Sequence, residues 1–237
     1  MTVRFLQSAI IIILLTSNGF SADVPKTLES EHAATEEDIS PFLKMEFDHA
    51  PLIDPALADN GLNKQSPEDS DIPVVVNDKV EGFIKYFQTN GKWFFVKWLG
   101  RSTRYLPMIK EILDENGLPD DLAYLALIES GFSPYARSQA KAVGMWQFIQ
   151  WTARVNGLRV DWWIDERRDP EKATRAAARH LNDLYGKFGS WHLAAAGYNG
   201  GEGRIRRALR DYPAEDFWTL ANYKMAMKRE TRDYVPK

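Results

Sequence analysis

The strongest constraint on the fold is a break near Asp78, where aromatic content and charge sign both change. All eight Trp and all nine Tyr lie beyond it, whereas residues 23–78 hold 14 Asp or Glu, three Lys (Lys26, Lys44 and Lys64) and no Trp or Tyr. A stretch so acidic and poor in large apolar side chains cannot bury enough surface to offset its ordering entropy. Residues 23–78 are therefore expected to be an acidic low-order linker, in which Phe42, Leu43 and Phe47 could dock on a partner. Residues 79–237 carry 26 Lys or Arg against 19 Asp or Glu, a balance of +7 hidden in the overall net charge of −3. This half is the expected globular domain, long enough for one enclosed core. Ahead of the linker, the apolar run Phe5–Leu15 follows Arg4 and precedes small residues at Ser21 and Ala22. It is shorter than the roughly 20 residues of a spanning helix, so residues 1–22 read as an export signal peptide or uncleaved anchor, and the expected location is periplasmic or cell-envelope. The chain has no Cys. That excludes thiol catalysis, cysteine-held metal or Fe–S sites and lipoprotein anchoring.

Within the second half the spacing of apolar residues is helical almost throughout. Asn77 or Asp78 predicts a cap for a helix through Phe83, Ile84 and Phe87, and Gly91 separates it from the aromatic run Trp93–Leu99. Ser102 or Thr103 predicts a further start, for a helix carrying Leu106, Ile109, Ile112 and Leu113 and ending at Asn116 and Gly117. Pro119, Asp120 and Asp121 open the next, which Gly131 stops after Ser130. Gly144 is expected to open a helix through Phe148 and Trp151 to Gly157. Asp169 and Pro170 start an alanine-rich helix ending near Gly186, and Ser190 caps one running into Tyr198. A final pair is expected around Ile205–Leu209 and Phe217–Tyr234. The fold class is mainly α, with at most a small β-element between Ser133 and Ala142.

Glu129 is the carboxylate most suited to chemistry. Leu122, Leu125 and Ala126 lie seven, four and three residues before it, which puts Glu129 on the apolar face of its helix. Burial disfavours the charged form, and the last helical turn adds the negative end of the dipole, so both effects raise its pKa. A general acid needs that property, although spacing alone leaves a structural hydrogen bond open. Glu111, Glu115 and Glu202 fall on polar stretches. Two further groups stand out: Gly144-Met145-Trp146-Gln147, with Gln147 just inside the expected helix start, and Gly197-Tyr198-Asn199-Gly200-Gly201, which a helix C-cap also explains.

In this order, Glu129-Ser130, Gly144-x-x-Gln147 and Tyr198-Asn199-Gly200 resemble the lysozyme-like lytic transglycosylases of bacterial cell walls. The likeness runs from about Leu118 to Lys237 and resembles the membrane-bound D-type branch. It rests on Ala142-Val143-Gly144-Met145-Trp146-Gln147-Phe148, Arg167-Arg168-Asp169-Pro170, Gly197 to Gly203, and Glu230-Thr231 with Tyr234 to Lys237. The sequence departs from common family members in having Met145-Trp146 for Leu-Met, Gly197 and Gly200 for alanines, and a C-terminus close after Tyr234, where relatives continue.

The resemblance implies a lysozyme-like helical domain with Glu129 as the single acid/base. It also implies that Ser130 orients the site, and that Gln147, Tyr198, Asn199 and Tyr234 line the substrate cleft. The implied reaction cleaves the β-1,4 bond between N-acetylmuramic acid and N-acetylglucosamine in peptidoglycan glycan strands and leaves 1,6-anhydro ends. A hydrolytic muramidase using the same glutamate is the nearest alternative, and a non-catalytic wall-binding or scaffolding domain is another. No cofactor or metal is expected, since His32, His49, His180 and His192 have no ligand spacing. Export and the lack of a reader motif argue against nucleic acid as partner, and the positive balance of the second half suits anionic wall polymers.

Overall fold

The computed structural model describes residues 72–237, so the expected signal at residues 1–22 and nearly all of the linker lie outside the described residues. The described chain is helical, and its extended backbone is limited to isolated antiparallel bridges. Asn77 opens α1 (Asp78–Gln88), its side chain accepting from the Lys79 and Val80 amides. A single long helix follows, α2 (Lys92–Glu115), where the sequence predicted a break at Ser102 or Thr103. The break does not occur because Phe94, Trp98, Ser102, Leu106, Ile109 and Leu113 form one continuous buried stripe. Burying that stripe intact outweighs a cap worth about 1 kcal/mol. The two hydroxyls turn back onto the carbonyls of Leu99 and Gly100, a use of Ser and Thr compatible with helix interiors.

A 3₁₀ turn (Asp120–Leu122) leads into α3 (Ala123–Ser130), which ends where Gly131 turns left-handed at φ 58°. The buried Arg101 guanidinium donates to the Gly131 carbonyl and so ties the end of α3 to the middle of α2. Residues 132–149 form a compact irregular loop instead of the helix expected from Gly144; only α4 (Gln150–Val155) is helical there. Isolated bridges join Arg137 to Val143 and Val143 to Phe148, and no strand forms between Ser133 and Ala142 or elsewhere among the described residues. Gly144 is at φ 86°, and a Cβ there would collide with the backbone oxygen of Arg167. The glycine therefore permits close approach of two loops and does not begin a helix.

After a second 3₁₀ turn (Glu166–Arg168), Asp169 caps α5 (Pro170–Phe188) by accepting from the Lys172 amide. This helix runs past Gly186 and stops at Gly189. Ser190 caps α6 (Trp191–Gly200), and α7 (Glu202–Asp211) begins directly after Gly201. The last predicted helix divides into α8 (Phe217–Asn222) and α9 (Arg229–Tyr234). The main core gathers α1, α2, α3, the irregular loop and α5 around Ile109, Leu113, Trp146 and Leu181. A smaller core of Leu193, Ala196, Ile205, Ala208, Phe217 and Leu220 joins α6, α7 and α8. Ile72 packs on the main core, and α6 is linked to the start of the described chain by a His192 hydrogen bond to the Pro73 carbonyl. No helix among the described residues is long and apolar enough to cross a membrane.

Candidate active site

A cleft of about 1210 Å³ opens between α3, the irregular loop, α6 and α9, and Glu129, Gln147, Tyr198, Asn199 and Tyr234 all line it. These residues are far apart in sequence and meet only because α6 packs against α9 and α5. Glu129 is half-buried, open to the cleft on one side and enclosed by protein on the others. The Tyr234 hydroxyl donates to Glu129 Oε1 at 2.7 Å across 105 residues of sequence.

Burial is the largest influence on this carboxyl and raises its pKa from 4.5 to about 7. The Tyr234 hydrogen bond and the Lys237 charge oppose the rise, and the Glu230 charge adds to it. A carboxyl whose ionised form is desolvated and lacks a contacting cation keeps its proton well above the ordinary range. It can release that proton to a bound oxygen and afterwards accept one. Tyr198 and Tyr234 are themselves pushed further up by burial and by the nearby Glu129 charge, so both remain neutral donors.

The other carboxylates on the cleft have different surroundings. Glu202 pairs with Lys187 and Arg206, and Asp233 with Lys79 and Arg229. Glu230 is exposed. The Lys79–Asp233 pair joins α1 to α9, and the Lys237 ammonium lies 5.4 Å from the centre of the Phe83 ring. The first and last described helices therefore fix each other, and Tyr234 with them.

Gln147 is not inside a helix start as expected. It sits in a tight turn with φ 48°, where its Nε2 donates to the Gly144 carbonyl at 2.7 Å and to the Ala136 carbonyl at 3.3 Å. Its Oε1 is buried with no partner among the described residues, although the side chain as a whole lines the cleft. Tyr198 donates to the Trp146 carbonyl at 2.7 Å and thereby holds the Gln147 turn against α6. Asn199 is helical, not a left-handed cap, and its Oδ1 accepts from the Thr231 hydroxyl at 2.9 Å. Its amide N–H groups thus remain available to the cleft. Gly200 makes this possible, because a Cβ there would come within 2.8 Å of the Thr231 methyl.

Ser130 does not line the cleft. It is buried, donates to the Met145 carbonyl at 2.8 Å and accepts from the Ser133 amide at 3.0 Å, so it fastens the Glu129 helix to the irregular loop. Met145 and Trp146 fill the core beneath that loop, with the Trp146 indole donating to Thr174.

Among the residues that the sequence did not assign to the site are His180, on the cleft, and Thr231, buried and bonded to Asn199. His180, from α5, lines the cleft with its ring 5.4 Å from that of Tyr198, and burial lowers its pKa. Its position four and three residues after the buried Ala176 and Ala177 was the available signal. Thr231 lies three residues before Tyr234, which places both on one face of α9. Among the described residues no group of His, Asp and Glu could hold a metal ion.

The transglycosylase SLT domain model matches residues 107–221. Membrane-bound lytic murein transglycosylase D of Escherichia coli is 37% identical over 142 residues, covering 58% of this chain and 30% of that protein. Peptidoglycan transglycosylase gp16 of Escherichia phage T7 is 41% identical over 121 residues, 49% of this chain and 9% of that protein. The 70 kDa soluble lytic transglycosylase of Escherichia coli has the same fold, with a TM-score of 0.50 at 21% identity over 67% of this chain and 28% of that one. The chain thus spans less than a third of the length of these relatives, and Thr231 and Tyr234 lie past the residues that the SLT domain model matches. Residues 107–221 thus match the transglycosylase SLT domain, and the chain is homologous to membrane-bound lytic murein transglycosylase D.

Proposed function

We propose that this protein is an exported lytic transglycosylase that cleaves the β-1,4 bond between N-acetylmuramic acid and N-acetylglucosamine in peptidoglycan. The observation that carries the reading is the Glu129 carboxyl, raised by burial to a pKa of about 7 and hydrogen-bonded by Tyr234 on the wall of a cleft large enough for several sugars. Glu129 protonates the glycosidic oxygen as the bond to the muramic anomeric carbon breaks. The departing N-acetylglucosamine leaves with that proton. The resulting carboxylate then removes the proton of the muramic C6 hydroxyl, whose oxygen attacks the anomeric carbon and closes the 1,6-anhydro ring. Glu129 ends protonated, and no water is consumed.

The polar groups of the cleft support an internal attack. The Asn199 amide, whose Oδ1 is held by Thr231, offers donors for acetamido and hydroxyl groups. Fixing the sugar raises the effective concentration of its own hydroxyl over water.

Digesting purified sacculi with the protein and weighing the released muropeptides tests the proposal. Anhydro ends are expected. Reducing ends, heavier by one water, would instead make it a muramidase, and sacculus binding without release would make it a wall-binding domain.

A further inference from the structure

Apolar side chains are exposed in concentration on α4 and the loop that follows it. Trp151 lines the cleft yet is 71% exposed, Val155 one turn later on α4 is 64% exposed, and Trp162 and Trp163 are 81% and 74% exposed. Arg154, between Trp151 and Val155, connects them to the tryptophan loop: its Nε and Nη2 both donate to the Val160 carbonyl, at 3.1 and 2.5 Å.

The loop is rigidly built. Val160 bridges Asp165, the Asp161 amide donates to the Ile164 carbonyl, and Asp161 Oδ1 accepts from the Trp163 and Ile164 amides. Arg159 closes onto Asp161 Oδ2 at 2.6 Å, and Arg167 donates to the Phe148 carbonyl beneath α4. The two indoles pack on each other with centroids 3.9 Å apart. Their outer faces remain in solvent, as though the polar groups of the loop served to hold them there.

We propose that Trp162 and Trp163, reached from the cleft by way of Trp151, form a stacking shelf for sugars of the glycan strand lying beyond the bond that is cut. The proposal deepens the functional reading above and rests on it for the identity of the polymer. Indole faces stack on the flat C–H faces of pyranose rings, and a preformed shelf loses little entropy on binding. A lipid surface fits less well. The basic side chains Arg159, Arg167 and Lys172 of the loop and its flank are already paired with Asp161, Asp165 and Glu166, which leaves no basic cluster for anionic headgroups, whereas the carboxylates can still accept hydrogen bonds from sugar hydroxyls.

The test uses the full chain with Trp162→Ala and Trp163→Ala combined, and binding to glycan strands of defined length in a Glu129→Gln background. Truncating such exposed rings removes little packing, and an unchanged melting temperature checks that. A roughly ten-fold loss of affinity for long strands is expected, with a smaller loss for short oligosaccharides and partial recovery in the Trp162→Phe, Trp163→Phe pair. In the active protein the same change raises KM on long strands and leaves kcat. Equal affinity at every length overturns the shelf, as does a loss seen only with anionic phospholipid vesicles. Length-dependent strand binding by a parent protein that releases no fragments would sink the proposed reaction and leave the shelf standing.

Discussion

The wall around Glu129 and the loop from Arg159 to Arg168 are built in opposite ways. The wall draws Glu129 from α3, Tyr198 and Asn199 from α6, and Thr231 and Tyr234 from α9, with hydrogen bonds spanning 32, 52 and 105 residues. The loop is held chiefly by bonds spanning two to seven residues, such as Asp161 to Trp163 and Arg159 to Glu166. Its aromatic rings project into water, whereas those of the wall are packed. Ionisable groups behave accordingly. Glu129 is moved far from its ordinary pKa by desolvation, while the loop carboxylates Asp161 and Glu166 are lowered by direct hydrogen bonds. Distant assembly thus gives a reactive proton, and local assembly gives a stiff surface for contact.

The sharpest way to break this contrast is Glu129→Gln. Loss of the acid should lower fragment release by about 10²- to 10⁴-fold, and a smaller loss than that from the shelf variants would reverse the assignment of reactive and contact regions. Next comes the pH profile. A proton donor must be protonated, so the rate should fall on the alkaline side near pH 7. Tyr234→Phe removes an interaction that lowers the Glu129 pKa, so the falling limb moves to higher pH. Glu230→Gln removes a charge that raises it, so the limb moves lower. Limbs that stay fixed in both variants would separate the profile from Glu129.

The same shift predicts a stability effect that needs no substrate. A carboxyl raised from 4.5 to about 7 on folding contributes no penalty below the unfolded value, and its stabilising proton uptake is lost as pH rises through 7. Glu129→Gln should therefore melt higher than the parent at pH 8, by an amount on the order of 2 kcal/mol, with little difference at pH 4. Equal melting at both pH values would place the carboxyl in solvent. The smallest effect expected is that of Thr231→Val, which frees Asn199 Oδ1 at a cost of about 1 kcal/mol. It should raise KM more than it changes stability, as steady-state kinetics and thermal melts would show.

What could be read from sequence follows the same division. The starts at Asn77, Asp169 and Ser190 were legible because each cap is a side chain bonding an amide two or three residues away. The apolar face carrying Glu129 was legible from periodicity. Ser102 and Gly144 were misread because each has a local signature that a distant contact overrides: burial of the α2 stripe for Ser102, and the approaching Arg167 carbonyl for Gly144. The placement of Gln147 inside a helix failed with Gly144, since its turn depends on the loop around it. His180 and Thr231 carried only a helical phase, and phase does not reveal which cavity a face will meet.

The order of residues by itself determined where a core could form, which segments would be helical, and that one glutamate would lie against apolar neighbours, because those properties depend on composition and on repeats of three or four residues. The tertiary structure decided that Tyr234 would reach Glu129, that Ser130 would fasten the site from behind, and that Trp162 and Trp163 would stand in water on a loop tied to α4. Such outcomes depend on how helices separated by tens of residues pack, and no short window of sequence carries that information.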